Sequence, residues 1–306
     1  MTRTRIEWAD EVWNPLRGCS RISKGCENCY AERQAARFSG PGLPFEGVAY
    51  LTVNGARWTG QITELKEKLN DPRRWVRPRR VFVNSMSDMF HEKVSDNFIK
   101  EVFVTMAKCP QHKFMILTKR AERMCSWFST RAAFDAMDIA EKEGMYWPLD
   151  NVWLGVSVED QAAADSRLPF LIGTQATTKF VSAEPLIGPV DLTKVACPVD
   201  HPKHCEDCAV CHVDQYPLCY KGHFNALEEG VDWVIVGCET GPSSRDMKED
   251  WVRELRDQCQ ANATAFFYKQ AKDKDGRKEA LPSLDGKQWT EFPDRGGART
   301  RTKKGI

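Results

Sequence analysis

The sequence predicts an α/β fold whose sheet is largely parallel, either open or curled into a partial barrel. Three observations carry this. Six short apolar runs recur along the chain: Val81–Ser85, Phe114–Thr118, Val152–Ser157, Lys179–Ala183, Trp233–Gly237 and Ala265–Tyr268. Most are continuously apolar rather than alternating, as strands covered on both faces are. Helical patterns fit between them, over Ser95–Lys108, Lys119–Phe128, Asp160–Leu171 and Asp250–Ala261. Strand–helix repeats of this kind build parallel strands through crossover helices.

Ahead of the first run lies a polar loop from Trp13 to Glu32 holding Cys19, Cys26 and Cys29, spaced Cys-x6-Cys-x2-Cys. Pro15, Gly18 and Gly25 mark it as a loop, and the residues from Tyr30 onward read as the first turns of a helix. Three thiols from one loop can hold three corners of an iron–sulfur cluster or three positions on zinc. The fourth ligand of a closed site has no counterpart nearby in sequence, which suits a cluster with one iron left for a small molecule. The plain alternative is a set of reduced thiols packed as small apolar residues.

An insertion of about residues 39–80 follows. It carries Arg73, Arg74, Arg77, Arg79 and Arg80 around Trp75. Arginines with an aromatic can grip a phosphate backbone and stack a base, or they can be a solvated loop. Ser95 then caps the first helix after the insertion, which Cys109-Pro110 closes.

Polar residues gather just past the carboxyl ends of successive strands. They are Ser85, Ser87, Asp88 and His91; then Thr118, Lys119 and Arg120; then Ser157 and Glu159; Ser182 and Glu184; and Cys238, Glu239 and Thr240. In an open sheet or barrel that edge is where ligands bind, whereas taken singly each residue also reads as a cap or turn residue.

A second insertion, about 191–231, holds Cys197, Cys205, Cys208, Cys211 and Cys219 with His201, His204, His212 and His223. This density signals a second metal site, either a structural zinc or an auxiliary iron–sulfur cluster, ordering a segment with little apolar content. Residues 271–306 read as a basic polar tail with ten basic and six acidic residues, its middle pinned by Trp289 and Phe292.

Whole-chain properties narrow the classes. A net charge of +1 over 306 residues claims no global pull toward nucleic acid or membrane. No run approaches membrane-spanning length, and the amino end lacks a signal-peptide pattern. Twelve cysteines without such a signal imply a reducing, cytoplasmic setting and metal binding rather than disulfides.

Motifs along most of the chain also carry a resemblance. They include Trp13-Asn-Pro-x-x-Gly-Cys19, Gly25-Cys-x-x-Cys-Tyr30, Val83-Asn-Ser-Met-Ser-Asp-Met-Phe-His91, Ile116-Leu-Thr-Lys-Arg120, Leu154-Gly-Val-Ser-Val-Glu159, Ser182-Ala-Glu-Pro-Leu186 and Phe266-Phe-Tyr-Lys-Gln270. The chain resembles a phage- and prophage-associated family of three-cysteine-motif proteins described as radical S-adenosylmethionine (SAM) enzymes or relatives. The order is also similar to that of the spore photoproduct lyase branch.

The resemblance implies a partial (β/α)6 barrel over residues 1–270 with the Cys/His-rich insertion attached. It implies a [4Fe–4S] cluster on Cys19, Cys26 and Cys29, with SAM on the remaining iron. Ser87 and Asp88 would face the methionine amino group and Lys119 its carboxylate. Ser157 and Glu159, with Glu184 on the next strand end, would complete the cofactor contacts.

The resemblance further implies an external reductant and, as substrate, a nucleotide or a base in nucleic acid, as in phage DNA hypermodification. A small molecule or peptide substrate, or a non-catalytic zinc-stabilised nucleic-acid adaptor, are the alternatives. Two departures stand out. The first cysteine gap is six residues rather than three, and Asn28 sits where an aromatic is usual, with Tyr30 next in line for that role. Cys238 stands where relatives have glycine, placed to donate hydrogen, to ligate a second cluster, or simply to be tolerated.

Overall fold

The computed structural model describes Thr4 and residues 6–196, 222–241 and 243–293. Its main sheet has eight strands, labelled here β1 (Glu11–Trp13), β2 (Arg80–Val83), β3 (Lys113–Thr118), β4 (Val152–Ser157), β5 (Thr178–Ala183), β6 (Val231–Gly237), β7 (Ala265–Lys272) and β8 (Lys278–Ala280). They pair in sequence order, the first seven parallel and β8 antiparallel, and the sheet curls into a half-barrel.

Helices α1 (Tyr30–Arg37), α2 (Asp96–Ala107), α3 (Ala121–Trp127), α4 (Arg131–Lys142), α5 (Gln161–Gly173), α6 (Ala226–Glu229) and α7 (Glu249–Ala261) fill the connections. Ser95 caps α2 by accepting the Phe98 N–H at 3.2 Å, and Asp160 caps α5 by accepting that of Ala163 at 2.9 Å.

Two apolar layers explain why the strands read as continuous. Outward residues such as Val83, Ile116, Leu154, Val181 and Val234 pack under the helices. Inward residues Phe82, Met115, Trp153, Phe180, Trp233 and Phe267, joined by Trp8, fill the bottom of the half-barrel. Gly155 makes this plug possible, since a Cβ there would lie 2.6 Å from the Phe180 ring.

One pleat repeat higher, the inward positions turn polar, with Ser157, Ser182, Glu184 and Lys269 lining a cavity over the plug. The alternation hidden among the apolar residues thus sets an aromatic floor under a polar mouth.

Two elements and one boundary differ from the expectation. β1 and α4 were not foreseen, β1 because it is only three residues long and α4 because its buried face is made of alanines. The sheet runs past residue 270: β7 reaches Lys272, β8 extends the sheet, and Leu284, Trp289 and Phe292 pack onto the protein, so residues beyond 270 belong to the packed body.

The arginine stretch precedes β2, at the amino edge of the sheet and away from the cavity. Finally, Cys197, Cys205, Cys208, Cys211 and Cys219 lie outside the described residues. Two short antiparallel strands, Val195–Ala196 and His223–Phe224, close the base of that insertion.

Candidate functional site

A cavity of about 420 Å³ opens over the carboxyl edge of the sheet, in the usual size range for small-ligand sites. The loop from β1 to α1 forms one wall and brings Cys19, Cys26 and Cys29 to it together. The loop leaves β1 through a short antiparallel pair, Leu16–Arg17 with Thr63–Glu64, and a bridge from Gly18 to Ser87. Gly18 is required there: its φ is +96°, and a Cβ would stand 2.0 Å from the Gln61 carbonyl.

Buried ion pairs anchor the rest of the loop. Arg167 grips Glu159 at 2.6 Å, and Glu159 accepts the Gly25 N–H at 3.4 Å from beneath. A side chain at Gly25 would meet that carboxylate at 3.0 Å. From the far rim, Arg245 clamps Glu239 at 2.6 Å and donates to the Lys24 carbonyl at 2.8 Å. Asn28 joins this clamp, donating to Glu239 at 2.8 Å and to the Ser243 carbonyl at 2.9 Å. The polar residue standing where an aromatic is usual is therefore a strut across the cavity mouth.

Asp88 is fully engaged. Its oxygens accept from Thr118 Oγ1 at 2.7 Å, the Phe90 N–H at 3.0 Å, the Lys119 N–H at 3.3 Å and Arg120 at 3.0 Å. A carboxylate has about four acceptor positions, so an incoming ammonium would have to displace one of these donors. Ser87 donates to the Leu16 carbonyl at 3.1 Å, which ties it to the loop. Glu159 is not on the cavity lining at all, because Arg167 and Gly25 hold it under the loop.

Lys119 is different. It lines the cavity, and its ammonium has no hydrogen-bond or ion-pair partner among the described residues. Ser157 and Glu184 also line the cavity; Glu184 pairs with Lys269 at 2.8 Å and accepts from Ser182 at 3.1 Å. Gly237 leaves the room this carboxylate occupies, as a Cβ there would lie 2.4 Å from Glu184 Oε1.

Tyr30 exposes its ring to the cavity and donates its hydroxyl to the Ser85 carbonyl at 2.7 Å. Cys238 sits on the wall facing Glu184, its backbone bonded to Gln270 in both directions at 3.1 and 2.7 Å.

Electrostatics distinguish the thiols. Each of the three loop cysteines is partly open to the cavity yet enclosed by protein. Burial, with Asp88 adding to it and Arg120 opposing it, pushes the Cys19 thiol up to about 12. Burial also raises Cys29, which caps α1, while the backbone N–H groups of Glu32 and Ala31 pull it back. Burial pushes Cys238 up to about 11. Glu159 and Glu239 show the reverse: burial opposes their ionisation, but Arg167 and Arg245 hold both carboxyls below the ordinary range.

A family model described as "protein of unknown function (DUF5131)" matches residues 3–293. The chain belongs to this family. No curated protein and no solved structure matches it.

For this DUF5131 chain, the fit to a metal group rests on its own donors. Among the described residues, no three His, Cys, Asp or Glu side chains converge as the ligands of one ion would. A cubane cluster takes one thiolate at each separate iron corner, whereas zinc needs all its ligands on one ion.

Arg167, Arg245 and Lys269 are site residues that sequence reasoning did not single out, and Arg120, expected only as one of the strand-end polar set, is the partner of Asp88. Lys269 was findable: it continues the inward alternation two residues past Phe267. Arg167 was not, because it sits inside a helix pattern and reaches back eight residues.

Proposed function

We propose that this chain is a radical-SAM enzyme, with Cys19, Cys26 and Cys29 holding a [4Fe–4S] cluster in the mouth of the half-barrel. The observation that carries the reading is the arrival of all three thiols on one cavity wall beside Lys119, a cation with no partner among the described residues. Bound there with SAM, and given one electron from an external reductant, such a cluster supplies cleavage of the sulfonium C–S bond to methionine and a 5′-deoxyadenosyl radical, which takes a hydrogen atom from substrate.

The chain's own residues hold the reactants. Lys119 offers its ammonium to the methionine carboxylate, a charge-assisted contact. Asp88 and Ser87 act one step behind, fixing Arg120 and the loop backbone. Ser157 and Glu184 line the cavity where they would meet the ribose hydroxyls, and the Tyr30 ring walls the space beside the cysteines. The aromatic plug beneath keeps water from entering below.

The substrate reading is a nucleotide or a base. One observation favours a free small molecule over a polymer: the arginine stretch lies at the opposite edge of the sheet from the cavity. On this reading a role in phage DNA hypermodification would act on the nucleotide before polymerisation.

Anaerobic reconstitution followed by reduction with SAM present tests the proposal. 5′-Deoxyadenosine from wild type and none from Cys26→Ala is the expected result. Zinc without iron after anaerobic purification, or equal yields from both proteins, overturns it in favour of a non-catalytic metal-stabilised adaptor.

A further inference from the structure

The three thiols are not served alike. Cys29 draws on backbone N–H groups at the start of α1, and Cys26 has the Ser23 hydroxyl at 3.9 Å. Among the described residues only Cys19 has a cationic side chain within hydrogen-bond distance of its sulfur: Arg120 Nη1 stands 3.8 Å away, whereas Lys119 acts on Cys29 only through its field. This guanidinium is 8% exposed, and each of its three nitrogens is engaged.

Nη1 also binds Asp88 at 3.0 Å, Nε binds Glu92 at 3.0 Å, and Nη2 donates to the Ser20 hydroxyl at 2.7 Å and the Ser20 carbonyl at 3.4 Å. Ser20 Oγ is also 2.9 Å from His91 Nε2. Because His91 Nδ1 accepts the Lys93 N–H at 3.2 Å, Nε2 carries the proton and donates to Ser20. The fork can neither swing away from the sulfur nor reach it from another direction.

We infer that Arg120 is a positioning residue that tunes the metal group, setting the reduction potential of whatever Cys19 ligates through a fixed charge and an N–H···S contact. It rests on the cluster reading above. Reduction adds negative charge at the thiolate corner, and a cation with a hydrogen bond to that sulfur stabilises the reduced form. Asp88 and Glu92 keep the guanidinium in place and partly offset its charge, so the pair of carboxylates limits how far the potential rises.

The experiment is a redox titration of the reconstituted cluster followed by electron paramagnetic resonance, with iron counted per chain, in wild type, Arg120→Gln and Arg120→Lys. Arg120→Gln is expected to hold iron and to titrate at a more negative potential, by at least the 59 mV that a tenfold change in a one-electron equilibrium represents. Arg120→Lys, which keeps a point charge without the fork, is expected to fall between the two.

Equal potentials in all three proteins at equal iron content overturn the inference while leaving the cluster reading standing. A wild type that takes up no iron overturns the cluster reading itself. Should Arg120→Gln fail to hold iron, Arg120→Lys decides: a wild-type potential overturns the inference, and a lowered one supports it.

Discussion

Both edges of the sheet carry arginine–carboxylate pairs, and they do different work. At the amino edge Arg79 pairs with Glu11 and Arg80 with Asp10, while Arg80 also stacks over Phe292 at 4.4 Å. These pairs are partly open to solvent and tie the chain's first and last segments to the sheet. At the carboxyl edge, the carboxylates of Arg120–Asp88, Arg167–Glu159 and Arg245–Glu239 are more deeply buried, and every one of these pairs touches the cysteine loop. The same residue types therefore act as clasps at one end and as a preorganised cradle at the other. Burial and aim separate the two roles, and composition reveals neither.

Breaking the cradle should cost most. Arg167→Ala leaves Glu159 buried without its partner, and losing one member of a buried pair costs about 3–5 kcal/mol. Denaturant titration should show that loss, together with weaker iron uptake, because Gly25 loses the carboxylate that holds its turn. The pH dependence has a definite sign. Glu159 is held below the ordinary range when folded, so its contribution is complete above the unfolded value, about 4.3, and is lost as pH falls through the lower folded value. Glu159→Gln should flatten that acid limb of the stability curve.

The next test separates cradle from ligand contact. Lys119→Met removes the cavity-lining cation that has no partner among the described residues, so folding stability should stay within about 0.5 kcal/mol. SAM binding should weaken by about ten- to a hundredfold, as expected for a charge-assisted contact of about 1.5–3 kcal/mol. Equilibrium binding to the reconstituted protein measures it. A stability loss with unchanged affinity would move Lys119 to the structural side of the comparison.

How much of this was legible beforehand follows from the distance over which each feature is encoded. The strands, the parallel sheet and the carboxyl-edge polar set are local patterns and could be read directly. The meeting of the loop's thiols was also local, since Cys19, Cys26 and Cys29 fall within one stretch. What stayed hidden was pairing across the fold. Asp88 and Glu159 looked like open ligand contacts, yet Arg120 and Arg167 engage them. Asn28 looked like a departure from a pattern, but its partners lie more than two hundred residues away. The inward alternation was masked because the barrel's floor is as apolar as its outer face.

At the amino edge, Arg79→Ala should cost about 1 kcal/mol or less, because the Glu11 pair is partly solvated. Thermal unfolding against wild type checks this, and a loss comparable with that of Arg167→Ala would erase the distinction between the edges.

The smallest effect is the sharpest test of what the amino edge is for. Arg73, Arg74 and Arg77 are exposed; among the described residues the Arg73 side chain bonds to Asn70 at 3.4 Å, and Arg74 meets Asp71 at 3.6 Å. Replacing all three with alanine should change stability by no more than about 0.5 kcal/mol and leave SAM cleavage untouched. Any binding to single-stranded or duplex DNA should keep the salt dependence of wild type. If this edge instead holds a phosphate backbone, each lost contact should lower the slope of log affinity against log salt by about 0.7 to 0.9. That outcome would make the amino edge a second functional surface and return a polymer to the substrate question, because a strand gripped there would have to pass around the half-barrel to reach the cysteines.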